Sequence, residues 1–324
     1  MSRHSAGGHT DRLQMAIAER RGRDYGAAMV RAELSGHYRD DGRYPAVVVN
    51  ITNRCNLACA HCFIFRAGNP NEAPLSVHDE LSNAAIIETL AGLRDRHSIK
   101  SVLWMGGEPL LRRDLIVEGV RLFPRNTIVT NGTIPLVDFG PSALYVVSLD
   151  GPEDLNDAIR GDGVYRRVMR NLSRIPGGLA SRVQVQCAVT RRNQHRLEEL
   201  VDAVRTTRAE WMTFSFYVPR ANDTGPDAWE TNEERAVAVR EVMRLKERHP
   251  GFVRNSARML ELMLPPQCKQ VTDACPARDA VLPLYLDGDH FTTPFCCYGN
   301  DVDCDRCGAW VVFHLAARMG ELAA

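Results

Sequence analysis

The sequence predicts an α/β fold with a parallel sheet, in which six strand–helix units curl into a partial or full barrel. Two observations predict it. Short apolar runs recur between residues 46 and 218, and amphipathic stretches with a helical period separate most of these runs. Alternating strands and helices form parallel sheets, because each helix carries the chain back to the edge where the previous strand began. A chain of 324 residues is long enough to bury the core of such a fold.

Six apolar runs are predicted as buried strands, because they are short and rich in β-branched and aromatic residues. They span residues 46–51, 101–105, 127–130, 144–149, 183–189 and 212–218. Cys187 alternates with valines on one face of the fifth run, so we interpret it as a core residue. The stretch after this strand, residues 194–207, is amphipathic. Its apolar face consists of Leu197, Leu200, Val201 and Val204.

The chain is expected to divide into four segments. Residues 1–43 are polar with scattered apolar positions and predict a helical segment packed outside the barrel of residues 44–220. Residues 221–266 form a helical connector that two prolines end. Residues 267–324 form a cysteine-rich extension, which we expect to be short, irregular and organised by a metal site.

Charge and composition argue against several classes of protein. Lys plus Arg equals Asp plus Glu at 40 each, so no overall charge favours nucleic acid. No apolar run approaches the roughly 20 residues of a membrane-spanning helix. The first residues lack the apolar core of a secretory signal, and we therefore expect a cytoplasmic protein. Cysteines in that compartment are reduced, and grouped thiols there indicate metal ligands.

Distinctive residues follow each predicted strand. A cysteine loop follows the first strand, and "GGEP" (106–109) and "TNGT" (130–133) follow the second and third. "SLDG" (148–151), "TRRN" (190–193) and "YVPR" (217–220) follow the remaining three strands. The carboxyl ends of parallel strands meet at one rim, so these residues are expected to line a single pocket.

The loop after the first strand holds three cysteines, Cys55, Cys59 and Cys62. A structural zinc site uses four protein ligands, and only three lie close together here. Three thiolates suit an iron–sulfur cluster better, because a cluster of four irons then keeps one iron open to a small molecule.

These motifs resemble those of the radical S-adenosylmethionine (radical SAM) enzymes. The cysteine loop followed by Gly-Gly-Glu-Pro carries the resemblance, which covers about residues 44–220. It implies a partial (βα)6 TIM-like barrel with a small C-terminal metal-cluster-binding extension. It also implies that the three loop cysteines bind a [4Fe–4S] cluster whose open iron is chelated by S-adenosylmethionine. The cofactor would contact Gly106, Gly107, Glu108 and Pro109, with Glu108 binding its ammonium group.

The resemblance also assigns residues from later strands. Ser148, Asp150 and Asn193 match positions that line the ribose and methionine side of the cofactor, although such residues also cap helices and shape turns. Arg160 matches an arginine that neutralises the cofactor carboxylate. His61 takes the aromatic position beside the cluster or adenine. In "TNGT", Asn131 is expected to shape its turn.

A second cysteine group resembles the auxiliary-cluster region of twitch or SPASM type. Four of its cysteines would bind a second [4Fe–4S] cluster, namely Cys275, Cys304, Cys307 and one of Cys296 and Cys297. A zinc site with four thiolates remains the alternative. Cys268 is left over.

The motifs say little about the substrate. The first hypothesis is an oxidoreductase or transferase that abstracts hydrogen from a small molecule or peptide in a biosynthetic pathway. It would use an electron donor such as flavodoxin or ferredoxin. A short N-terminal similarity to hopanoid-type enzymes leaves a lipid acceptor as an alternative. In that case Trp211, Phe214, Phe216 and Tyr217 would be pocket walls rather than core residues. A non-catalytic iron–sulfur binding or sensor protein is the third hypothesis.

Overall fold

The computed structural model of the protein describes residues 34–39, 42–65 and 80–323. Most of the predicted N-terminal helical segment, residues 1–43, lies outside the described residues. Its described part contains a two-residue strand, β1 (Ser35–Gly36).

The six predicted strands are all present and form a parallel sheet. They are β2 (Ala46–Asn50), β3 (Ser101–Met105), β4 (Arg125–Thr130), β5 (Ala143–Ser148), β6 (Arg182–Val189) and β7 (Trp211–Phe216). Each pairs in parallel with the next along the chain. The two ends of the sheet, β1 and β7, do not pair with each other within the described part of the chain. The barrel is therefore partial and open, which confirms the predicted α/β class.

Helices connect the strands and cover the sheet. They are α1 (Asn83–His97), α2 (Arg113–Gly119), α3 (Glu153–Arg160), α4 (Val164–Ser173), α5 (Leu197–Arg205), α6 (Asn232–Arg248), α7 (Ala257–Leu262), α8 (Gln267–Asp273), α9 (Pro276–Ala280) and α10 (Trp310–Ala323). Several begin where the sequence offers a cap: the side chains of Ser82, Thr231 and Ser256 accept hydrogen bonds from backbone N–H groups of α1, α6 and α7. The predicted apolar face of α5 is buried.

The C-terminal extension is more regular than the sequence indicates. Strand β8 (Val281–Asp287) pairs in parallel with β2, and β9 (His290–Thr293) returns antiparallel to β8. All but the last residue of β8 are buried, because the strand lies between β2 and β9 inside the sheet. We expected an irregular extension, so the place of these two strands in the main sheet was not predicted.

Cys187 lies in the core as predicted, fully buried on β6. Trp211, Phe214 and Phe216 of β7 are buried there too. None of the helices in the described ranges combines the length and apolar character needed to cross a membrane.

Candidate functional site

The carboxyl ends of the parallel strands enclose a cavity of about 350 Å³. Residues from the cysteine loop and from the turns after several strands line it together, as the strand-end argument predicted. Eight of the lining residues were predicted for the barrel site, namely Cys55, Cys59, His61, Cys62, Gly106, Gly107, Ser148 and Arg160. The topology therefore brings sequence-distant candidates into one pocket.

The three loop thiols are free and half-buried. The Cys55 Sγ accepts a hydrogen bond from the backbone N–H of Leu57, at 3.4 Å. Burial raises the pKa of the Cys59 thiol to about 11. Thiolates in such a setting need a positive partner, which the irons of a cluster would supply.

The described residues contain no group of three or more His, Cys, Asp or Glu side chains arranged to hold one metal ion. Thiolates around a single zinc ion each lie about 2.3 Å from it and therefore converge on one point. In a [4Fe–4S] cluster each cysteine binds a different iron, so the sulfurs stand further apart. The spacing of the three loop cysteines is therefore not that of a preformed site for a single ion.

The glycines of "GGEP" bring this turn against the cysteine loop. A Cβ on Gly107 would overlap the carbonyl group of Arg54 and lie 2.8 Å from the Cβ of Cys55. The backbone N–H groups of Gly107 and Glu108 donate to the carbonyls of Thr52 and Arg54, both at 2.8 Å. Glycine is needed here for backbone contact with the loop, a reason that adds to the predicted approach of the cofactor.

Glu108 is fully buried beneath the cavity. Its carboxylate accepts hydrogen bonds from the backbone N–H groups of Leu110 (3.0 Å) and Asn131 (2.8 Å) and from the Thr130 hydroxyl (2.8 Å). Burial raises the pKa of Glu108, and these donors act against that rise. Pro109 is buried and begins a 3₁₀ turn, Pro109–Arg112. The two residues support the cavity from behind rather than lining it.

A buried charged group joins the cysteine loop to α3. The Asp150 carboxylate accepts a hydrogen bond from Arg160 Nε (2.6 Å) and lies 2.9 Å from His61 Nε2. It also accepts from the backbone N–H of Ala188 at 2.9 Å. Burial alone would raise the pKa of Asp150, but Arg160 and His61 outweigh it and hold that pKa well below its usual range. The His61–Asp150 pair was missed, because the sequence indicated only a ring at position 61.

Asn193 is also buried behind the cavity wall. Its side-chain amide donates to the carbonyls of Asp150 (2.7 Å) and Ala188 (2.9 Å). Of the four residues assigned from later strands, Ser148 and Arg160 thus border the cavity, whereas Asp150 and Asn193 hold the wall in place. Asn131 shapes its turn as expected, and its Nδ2 also donates to Asn56 Oδ1 in the cysteine loop, at 2.9 Å.

The C-terminal cysteines surround a second, smaller cavity of about 60 Å³. All five candidates line it, namely Cys275, Cys296, Cys297, Cys304 and Cys307. Burial raises the pKa of the Cys307 thiol to about 12. Cys297 and Tyr298 border the large cavity as well, so one short segment separates the two sites. Cys268 is buried and does not line either cavity.

The remainder of the large cavity is mostly apolar. Its strand residues include Val48, Leu103, Val129, Val146, Gln184 and Gln186, and Trp310 of α10 also contributes. The β7 aromatics that the lipid hypothesis uses as walls do not line it. Trp310 was missed, because its segment was predicted to belong to a separate extension.

Comparison with known proteins agrees with this geometry. The family model of the radical SAM superfamily matches residues 49–177. Pre-heme d1 synthase of Dinoroseobacter shibae is 28% identical over 60% of this chain and 49% of its own length. Fe-coproporphyrin III synthase of Methanosarcina barkeri is 36% identical over 40% of this chain and 33% of its own length. The chain thus spans about half or less of these curated relatives.

Two solved structures share the fold. SuiB of Streptococcus suis bound to S-adenosylmethionine has a TM-score of 0.55 and 16% identity, covering 75% of this chain and 59% of its own. The anSMEcpe structure with bound AdoMet has a TM-score of 0.58 and 13% identity, and the match covers 85% of this chain and 82% of the anSMEcpe chain. The fold is a partial barrel, and its strand-end cavity brings together three free cysteines. The family match covers residues 49–177, and members of the radical SAM superfamily use the [4Fe–4S] cluster and S-adenosylmethionine that the sequence led us to expect.

Proposed function

We propose that this chain is a radical SAM enzyme of a biosynthetic pathway. The observation that carries the proposal is the convergence of three free thiols with Ser148 and Arg160 around one cavity at the strand ends. When bound, the cluster and S-adenosylmethionine supply a 5′-deoxyadenosyl radical that abstracts hydrogen from a substrate. The protein's own residues bind and orient these groups and exclude water.

Cys55, Cys59 and Cys62 would hold the cluster, and Glu108 and Arg160 would orient the cofactor. Glu108 does not line the cavity, so it would act on the ammonium group through the negative charge that it holds directly behind Thr130 and Asn131, which do line it. Arg160 uses Nε to bind Asp150, and its terminal nitrogens make no hydrogen bond within the described residues. They are available for a carboxylate.

For the C-terminal site we propose a second [4Fe–4S] cluster held by Cys275, Cys296, Cys304 and Cys307. A hydrogen-bond pattern supports Cys296 over Cys297. The Sγ atoms of Cys296 and Cys307 each accept from the backbone N–H two residues later, at 3.3 and 3.5 Å, as Cys55 does in the barrel. Such bonds favour the thiolate form that a metal ligand requires. The resemblance of this cysteine group to auxiliary-cluster regions of twitch or SPASM type supports a cluster, and a zinc site with four thiolates is the alternative.

For the substrate we propose a small molecule or peptide whose reacting part is uncharged. Among the described residues that line the cavity, His61 and Arg160 are the ones that can carry a positive charge, and both face Asp150. A substrate rich in phosphate or carboxylate groups would need further cations. SuiB with its precursor peptide SuiA is one neighbour in fold that supports a peptide. The apolar wall also suits a lipid acceptor, the alternative.

Anaerobic reconstitution followed by dithionite and S-adenosylmethionine tests the proposal. We expect 5′-deoxyadenosine to form, and not to form in the variant with Cys55, Cys59 and Cys62 all replaced by Ala. Folded, reconstituted protein that binds iron but releases no 5′-deoxyadenosine would instead support the non-catalytic binding or sensor protein. We expect a flavodoxin or ferredoxin to replace dithionite in the cytoplasm.

A further inference from the structure

The C-terminal cysteine site lies beside a buried arginine. Arg235 of α6 is 1% exposed. Its Nη1 donates to the backbone carbonyls of Arg306 (2.9 Å) and Cys307 (2.6 Å), and its Nη2 donates to that of Met263 (3.4 Å). Its Nε has no hydrogen-bond partner.

None of these acceptors carries a charge. No carboxylate of the described residues forms an ion pair with Arg235, whereas the buried Arg160 is paired with Asp150. An arginine stays protonated even when buried, and burying an unpaired guanidinium is costly. A negatively charged group near this side chain would offset that cost.

Only thiols lie nearby to meet this requirement within the described part of the chain. Two thiols are in electrostatic contact with Arg235, Cys268 more strongly than Cys307, and Arg235 also donates directly to the Cys307 carbonyl. Cys307 lines the small cavity, and Cys268 does not. A cluster bound by four thiolates has a net negative charge that increases by one unit when it is reduced.

We propose that Arg235 is a positioning residue of the C-terminal site, whose buried charge balances that of the second [4Fe–4S] cluster and raises its reduction potential. This inference rests on the proposed second cluster. A nearby cation stabilises the reduced state more than the oxidised state, because the reduced state is more negative. Net charge and hydrogen bonding around a cluster are known determinants of its potential.

The test uses the variant in which Cys55, Cys59 and Cys62 are Ala, so that all bound iron reports on the C-terminal site. Into it we introduce Arg235→Gln, which removes the charge but keeps a donor, and Arg235→Lys, which keeps the charge. Arg240→Gln, at an exposed position on the same helix, is the matched control. Iron and sulfide per chain and a redox titration followed by electron paramagnetic resonance are the readouts.

We expect Arg235→Lys and Arg240→Gln to keep the parent's iron content and potential. Arg235→Gln should shift the one-electron reduction equilibrium at least tenfold toward the oxidised state, which is 59 mV, or lose its iron altogether. If Arg235→Gln and Arg235→Lys behave alike, or if the Lys variant is the more impaired, charge is not what the site needs and the inference is overturned.

Failure of the underlying proposals is distinguishable from this outcome. If the parent variant binds no iron, the second cluster is refuted before Arg235 is changed. The release of 5′-deoxyadenosine by protein with its barrel cysteines intact tests the radical SAM activity separately.

Discussion

Replacing Asp150 with Asn removes a buried negative charge that two side chains share. The carboxylate is fully buried, and Arg160 beside it is only 8% exposed. The asparagine side chain can still accept a hydrogen bond from the Ala188 N–H group. The Arg160 guanidinium, however, is left without a negatively charged partner. Breaking a buried ion pair in this way costs about 3–5 kcal/mol of unfolding free energy.

Urea unfolding of the iron-free protein under reducing conditions measures this loss, because the midpoint and slope give the free energy of unfolding. The matched control is Asp154→Asn. Asp154 lies 2.6 Å from Arg196 in an exposed pair, whose loss should change stability little. The reasoning is refuted if Asp150→Asn destabilises the protein no more than Asp154→Asn does.

The pH dependence gives a second check on Asp150. Its pKa is lowered in the folded protein, so its contribution is fully present above the unfolded-state value of about 3.9. The contribution is lost as the pH falls from there through the lowered folded-state pKa. The stability difference between the wild type and Asp150→Asn should therefore be constant near neutral pH and shrink below about pH 4. A difference that widens toward acid would contradict the assignment.

Three further experiments test the two cysteine sites and the cofactor site. Gly107→Ala should lower both the iron bound at the barrel loop and the formation of 5′-deoxyadenosine, because the added Cβ would overlap the loop backbone. Gly320→Ala is the control: the space around Gly320 is open, so neither quantity should change. In protein lacking the barrel cysteines, Cys296→Ser should lose most of the remaining iron and Cys297→Ser should keep it; the reverse result would exchange their roles. Glu108→Gln should weaken S-adenosylmethionine binding about tenfold or more in anaerobic calorimetry, since it removes the charge offered to the ammonium group; unchanged binding would remove Glu108 from the cofactor site.

Local patterns were enough to predict the barrel and most of its rim. Buried parallel strands are short apolar runs, and their carboxyl ends meet, so Cys55, Gly106 and Ser148 could be expected at one cavity without knowing any contact. Arg160 lies at the end of α3 and was expected there only from the family resemblance. Local patterns did not decide the role of the aromatic run on β7. Periodicity shows that Phe214 is buried, but not whether it faces the core or a cavity.

Contacts between distant residues could not be predicted in this way. The His61–Asp150 pair joins residues 89 positions apart, and nothing local marks either as the partner of the other. The pairing of β8 with β2 likewise depends on how the chain returns after the helical connector. The charge of Arg235 is visible in the sequence, but its burial without an acidic partner is visible only in the fold.

The position of β8 has a consequence for how this protein can be dissected. Asn53, immediately before the cysteine loop, donates its side-chain amide to the carbonyl of Leu286 at 3.1 Å, so the loop is anchored to the C-terminal region. Truncation before residue 281 would remove β8 and leave β2 without hydrogen-bond partners on one side. The exposed edge strand, next to the first cysteines, would be prone to aggregation. The folding of the barrel cysteine loop therefore depends on the C-terminal region, and we expect a fragment that contains the barrel alone to be unstable.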